Sequence, residues 1–308
     1  MIRIDQVTKT YGRTKALDGL QFEVPRGSIF GFVGPNGAGK TTTIRILATL
    51  LAPSGGEAYV GGAPVSRDPA KVRQLIGYMP DFFGVYDDLR VDEYLDFYGA
   101  SRGLAPARRK KVAADLLELI ELTDKRGEYV DTLSRGMKQR LCLAQALVHD
   151  PSVLLLDEPA SGLDPRARVE MRELIKELQV MGKTVLISSH ILSELAEMCS
   201  HLAIIDHGRI VVSGPVDEVM GRTHGGRVLM IKVLDDQERA AEIIRQAPLV
   251  KSAVATADEI KVVFDGSDEA LAGLLTDLIR SGLRVVSFTE GNHRLEDVFM
   301  QVTRGDGR

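Results

Sequence analysis

Eight residues constrain this chain more than any others: Gly34-Pro35-Asn36-Gly37-Ala38-Gly39-Lys40-Thr41, set between a compact apolar run (Ile29, Phe30, Phe32, Val33) and a helical pattern. The spacing is that of a phosphate-binding loop, G-x-x-x-x-G-K-[ST], in the strand–loop–helix setting it requires. Glycines let the backbone curl until several N–H groups point inward, and the positive end of the following helix faces the same point. The lysine sets a cation against β- and γ-phosphates, and the threonine hydroxyl can ligate Mg²⁺. Gly34, Pro35, Asn36, Gly37, Ala38, Gly39, Lys40, Thr41 and the adjoining Thr42 are therefore candidate nucleotide contacts, with Thr41 also a metal candidate.

A second segment supplies the carboxylates. Val153-Leu154-Leu155-Leu156 reads as a buried strand that delivers Asp157 to its C-terminal end, with Glu158 next. Asp157 there can hold Mg²⁺ directly or through water, and Glu158 can orient or deprotonate an attacking water. Either carboxylate alone also suits a solvated turn. Paired with the loop, they point to nucleotide hydrolysis.

Three more motifs stand in a fixed order around this pair. Leu133-Ser134-Arg135-Gly136-Met137-Lys138-Gln139 precedes the Asp157 strand, Ser161-Gly162-Leu163-Asp164-Pro165 follows Glu158, and Ser188-Ser189-His190 ends a later strand. Over about residues 1–220 the chain resembles the ATP-binding cassette (ABC) proteins. The three segments look like that family's signature motif, D-loop and switch histidine. The resemblance implies ATP and Mg²⁺ as cofactors and catalytic roles for Lys40, Glu158 and His190. It also implies a head-to-tail dimer, with the loop, Asp157, Glu158 and His190 of one subunit facing Ser134 and Gly136 of the other and Asp164 nearby. Tyr11 sits where the family stacks an aromatic ring on adenine; on its own it reads equally as a packing residue. Ser134 also suits a helix N-cap.

Two departures from the family pattern stand out. A glutamine that touches Mg²⁺ usually follows the strand at 75–79, but here Met79-Pro80 leads into Asp81. A carboxylate can ligate the metal but offers no amide donor, so Asp81 is either a metal ligand or a loop residue. The signature carries Arg135 and Met137 where glycine and glutamine are common. Beside Asp81, Phe82-Phe83-Gly84-Val85-Tyr86 forms an aromatic, apolar stretch that suits either burial or docking of a transporter's cytoplasmic helix.

The rest of the chain organises around these motifs. Strand patterns at 2–8, 16–24, 28–33, 57–60, 75–79, 153–156, 185–188, 203–205 and 210–212 alternate with helical ones at 40–51, 166–180 and 191–198. Helical patterns at 91–102, 108–122 and from 135 through Leu147 form an insertion. The fold class expected is α/β: a P-loop NTPase cassette of the ABC type at 1–220 with a helical subdomain at about 85–150. A glycine-bearing stretch at 221–226 marks a boundary. Beyond it, the order β-α-β-β-α-β predicts a small α+β, ferredoxin-like domain at 227–308 that serves dimerisation or regulation. A last helix is expected at 295–303.

At 308 residues, one large and one small domain is the natural division. The formal net charge of −4, with both signs interspersed and no basic block, argues against a nucleic-acid partner. Cys142 and Cys199 lack metal-ligand spacing and read as reduced core thiols; the six histidines form no cluster. The opening Met1-Ile2-Arg3-Ile4 reads as a strand rather than a secretory signal, and no run approaches the ~18 apolar residues of a spanning helix. A cytoplasmic protein is expected, peripheral at the inner face of the membrane, with a separate permease providing the crossing. The resemblance, sharpened by Asp81 and by Leu295-Glu296-Asp297-Val298-Phe299, implies the ATPase of an exporter acting as a homodimer or with a similar ATPase. An importer ATPase, or a soluble relative acting on ribosomes or DNA, are the alternatives.

Overall fold

The computed structural model describes residues 1–81, 88–222, 227–256 and 258–290. The chain divides into two compact units, Met1–Val216 and Asp217–Arg308. The aromatic stretch at 82–86, part of the glycine-bearing stretch, and the segment at 295–303 lie outside the described residues.

The first unit opens with a hairpin of β1 (Ile2–Tyr11) and β2 (Thr14–Val24), whose alternating pattern buries one face. β3 (Ile29–Val33) is buried at all five positions, as an apolar run in a covered sheet must be. It leads through the loop into α1 (Lys40–Leu47). That helix stops four residues before the expected end because Thr49 turns left-handed (φ 62), and its hydroxyl accepts from Arg73 Nε at 2.9 Å. β4 (Gly55–Val60) and β5 (Ala63–Pro64) join the hairpin in a four-stranded sheet ordered β2-β1-β4-β5. A short helix not read from the sequence follows: α2 (Pro69–Leu75), capped by Asp68, whose carboxylate accepts from Lys71 N, with Pro69 at its first position.

β6 (Ile76–Met79) enters the central sheet. The helical insertion then appears as α3 (Val91–Ser101), α4 (Pro106–Leu119) and α5 (Arg135–Leu147). The chain returns through β7 (Val153–Asp157), α6 (Pro165–Val180), β8 (Thr184–Ser189), α7 (Leu192–Ala196), β9 (His201–Asp206) and β10 (Arg209–Pro215). The central sheet runs β10-β9-β3-β8-β7-β6, parallel throughout except for β10.

Register decides where the chemistry falls. Val33 pairs with Ser189, Asp157 with Ser188 and Met79 with Leu156, so β3, β6, β7 and β8 all end along one edge. The residues that leave those strands (Gly34, Pro80, Glu158 and His190) therefore emerge together. In a parallel α/β sheet that carboxyl edge is where ligands bind.

α8 (Val216–Arg222) carries the chain into the second unit. There β11 (Arg227–Val233), α9 (Gln237–Arg245), β12 (Val250–Ala255), β13 (Ile260–Phe264), α10 (Asp268–Arg280) and β14 (Val285–Glu290) follow in order. The strands form an antiparallel sheet ordered β12-β13-β11-β14. Alternate positions (Leu229, Ile231, Val233; Ile260, Val262, Phe264) pack with Ala240, Ala241 and Ile244 of α9 and Leu274 and Leu278 of α10 into a separate core.

Candidate nucleotide site

The loop between β3 and α1 uses its glycines for close approach. Gly39 sits at φ 111, and a side-chain carbon there would fall 2.6 Å from Leu17 and 2.9 Å from the Ala16 carbonyl. At Gly34 such a carbon would come within 2.4 Å of the Ile205 carbonyl. Asn36 and Gly37 are exposed, Pro35 and Gly39 half-buried, and Gly34 and Ala38 buried. Lys40 opens α1 and is only 5% exposed. Its Nζ donates to the Gly34 carbonyl at 2.7 Å and the Pro35 carbonyl at 3.2 Å, and lies 3.5 Å from Glu158 Oε1. The ammonium is thus already desolvated and held over the loop.

Asp157 is fully buried at the end of β7. Its Oδ1 accepts from Ser188 Oγ at 2.6 Å, while Oδ2 is buried without a hydrogen-bond partner. Burial raises the pKa of this carboxyl; the Ser188 and Thr41 hydroxyls oppose the rise, and the nearby Asp81 and Glu158 charges add to it. A buried anionic oxygen with no donor suits a cation. No group of three or more His, Cys, Asp or Glu side chains is gathered for a metal among the described residues. Mg²⁺ does not need one, because it takes a hydroxyl, one or two carboxylates, waters and substrate phosphates. Thr41 and Asp157 fit that set.

Glu158 adopts φ 49, unusual for a residue with a side chain. Its N–H donates to Ser188 Oγ at 3.0 Å, and its Oε2 lies 3.0 Å from His190 Nδ1. Ser188 therefore touches both carboxylate residues, a role invisible in the sequence beyond a polar residue ending an apolar strand. Lys40, Thr41, Thr42, Asp81, Glu158 and Ser161 line one cleft of about 330 Å³.

The relatives identify the family. Residues 17–161 match the ABC transporter family. The daunorubicin/doxorubicin resistance ATP-binding protein DrrA of Streptomyces peucetius is 37% identical over 98% of this chain and 92% of its own length. The chain belongs to the ABC transporter family. The Nod factor export ATP-binding protein I of Paraburkholderia xenovorans is 36% identical over 98% of this chain and 96% of its own. Among solved structures, an ATP-binding subunit of an ABC transporter superposes with a TM-score of 0.65 at 28% identity, over 72% of this chain and 92% of its own. A post-hydrolysis cassette bound to ADP and Pi superposes with a TM-score of 0.64 at 25% identity, over 70% of this chain and 99% of its own. This ABC protein is an ATP-binding subunit of a transporter and an ATPase.

The remaining motif residues of the cassette occupy three places. Ser134 caps α5, its hydroxyl accepting from Met137 N at 3.3 Å, and is exposed. Gly136 is the second residue of α5, where an added carbon would meet Ala167 at 3.1 Å. Asp164 caps α6 by accepting from Ala167 N at 2.9 Å. Tyr11 is 48% exposed at the tip of the β1–β2 hairpin and is not among the residues lining the Lys40 cleft, to which that hairpin contributes Ala16. Asp81 does line the cleft, and its Oδ1 lies 4.0 Å from Arg45 Nη2. Cys142 and Cys199 are free and buried; burial pushes the Cys142 thiol up to about 12, and Cys199 shifts the same way.

Proposed function

We propose that this ABC ATPase is the motor of an exporter, acting on a separate membrane-spanning permease at the inner face of the cell membrane. The observation that carries the reading is the convergence of Lys40, Asp157, Glu158 and His190 on one sheet edge: Glu158 lies 3.5 Å from Lys40 Nζ and 3.0 Å from His190 Nδ1, and Ser188 bridges it to Asp157. Relatives named for drug resistance and for Nod factor export match nearly the whole chain, beyond the part the solved cassettes cover. Among the described residues no helix is long and apolar enough to cross a membrane, which supports a separate permease.

The residues divide the work. The loop from Asn36 to Gly39 and the start of α1 present N–H groups to the phosphates, and Lys40 moves from the loop carbonyls to the β- and γ-phosphates. Thr41 and Asp157, with Asp81 at the cleft rim, would hold Mg²⁺, which would supply positive charge against the phosphate oxygens. Glu158 orients the attacking water and takes its proton, and His190 holds Glu158 and contacts the γ-phosphate. Tyr11 stacks on adenine. Ser134 and Gly136, at the exposed start of α5, close over the γ-phosphate of a second cassette, with Asp164 at the same face. That partner is a second copy or a similar ATPase, and residues 227–308 stabilise the pair. ATP then favours the closed pair and hydrolysis the open one.

A mild-detergent pull-down of Glu158→Gln with ATP tests this. A polytopic membrane protein travelling with the trapped cassette is the expected result. A ribosomal or DNA-bound partner without a membrane chain overturns the motor role and leaves the ATPase intact.

A further inference from the structure

The family's common signature has glycine where this chain has Arg135, and the structure shows where that extra side chain goes. Arg135 opens α5 at the surface, yet its guanidinium turns back onto its own cassette. Nη2 donates to the Ser161 carbonyl at 3.1 Å. The guanidinium lies flat over Gly162, so close that a side-chain carbon there would fall 2.5 Å from its central carbon. Gln139, one turn further along α5 and buried, donates to the same carbonyl from Nε2 at 3.3 Å. Two donors from one helix thus grip one carbonyl.

That carbonyl belongs to the turn that follows Glu158. Ser161 N donates to the Glu158 carbonyl at 3.0 Å, and Glu158 holds the left-handed backbone described above. Such a conformation persists only when its surroundings over-determine it. On one side Ser188 holds the Glu158 N–H; on the other, the grip on Ser161 fixes the turn. Ser161 also lines the phosphate cleft beside Glu158 and Lys40.

We propose that Arg135 is a positioning residue for hydrolysis: through Ser161 it clamps the turn that sets Glu158 in the cleft. This rests on Glu158 being the hydrolytic carboxylate. The clamp acts on a group needed in the transition state, so its loss lowers kcat and leaves ground-state ATP binding alone. Arg135 is exposed and sits in the first turn of its helix, so replacing it leaves the fold intact. Lysine keeps the charge and one donor but loses the planar fork that covers Gly162.

The experiment compares Arg135→Ala, Arg135→Lys and Glu158→Gln in the full-length protein. Arg135→Ala is expected to lower kcat about tenfold with KM for ATP unchanged, and to speed amide exchange at residues 158–163 without a matching change in melting temperature. Arg135→Lys is expected to recover part of both. Unchanged kcat in Arg135→Ala, equal changes in kcat and KM, or unaltered exchange at 158–163 each overturns the clamp. Parental hydrolysis by Glu158→Gln overturns the reading beneath it instead, and the exchange arm still decides whether Arg135 holds the turn.

Discussion

The two units of this protein spend their interiors differently. Among the described residues, every buried polar or charged side chain (Ser28, Lys40, Thr43, Gln139, Asp157, Thr184, Ser188, Ser189) lies in the first unit. The core of the second is apolar throughout, Gln237 burying an unpartnered amide oxygen at its margin. Buried polar groups destabilise unless they are paired, and Asp157 Oδ2 is not. The cassette therefore carries an unfavourable term that a ligand can relieve, whereas the smaller unit is built for packing. The relatives mirror this division. Solved cassettes match about 70% of the chain, and the resistance and export proteins match nearly all of it.

The sharpest way to break this contrast is Glu158→Gln. Hydrolysis is expected to fall by about 10²-fold or more while ATP binding persists, read as phosphate release beside ATP-dependent dimerisation in size exclusion. Parental turnover would show that the unusual backbone at Glu158 serves something else. Next in size is Phe264→Ala, in the middle of the second core. It is expected to destabilise by about 3–5 kcal/mol in denaturant titration, yet leave ATPase close to parental at low temperature. A collapse of activity in folded protein would draw the second unit into the chemistry.

Asp157→Asn separates stability from function within one residue. Burial raises this carboxyl's pKa, so between its ordinary and raised values the native state keeps a proton that the unfolded chain has released. Stability then falls as pH rises through that window, and the penalty is complete above it. At neutral pH the asparagine variant is expected to melt higher than the parent without nucleotide, and to be inactive. A lower melting temperature would mean that the buried charge is already compensated. The smallest effect belongs to Asp81→Gln, because its ion pair with Arg45 is half exposed and worth under ~1 kcal/mol. A shift in the Mg²⁺ dependence of nucleotide binding is expected with little change in melting. An unchanged dependence would make Asp81 an ordinary loop residue.

Most strands and helices were legible because their apolar residues repeat with period two, run unbroken, or recur at three and four. α2 was not, since seven residues beginning at Pro69 bury only Val72 and give no periodic stripe; the Asp68-Pro69 pair was the available signal. The end of α1 was missed because nothing local distinguishes a left-handed Thr49 from a helical one. Of the site, the loop, Asp157, Glu158 and His190 could be named from motif and spacing. The roles of Ser188, Ser161 and Arg135 could not, because Ser188 meets Asp157 and Glu158, and Arg135 meets Ser161, only across 20 or more residues of sequence.

What the sequence determined by itself was the inventory of chemistry: a glycine loop with the spacing and the strand–helix setting of a phosphate cradle, and carboxylates and a histidine at strand ends. Those are local properties, set by residue type and by the few residues on either side. Only the tertiary structure decided that the strand ends share one edge, that Lys40 rests on loop carbonyls, and that Asp157 keeps one oxygen unpartnered. Register between β3, β7 and β8 is a long-range choice made by burial of whole strands, and no local pattern encodes which residue meets which across a sheet.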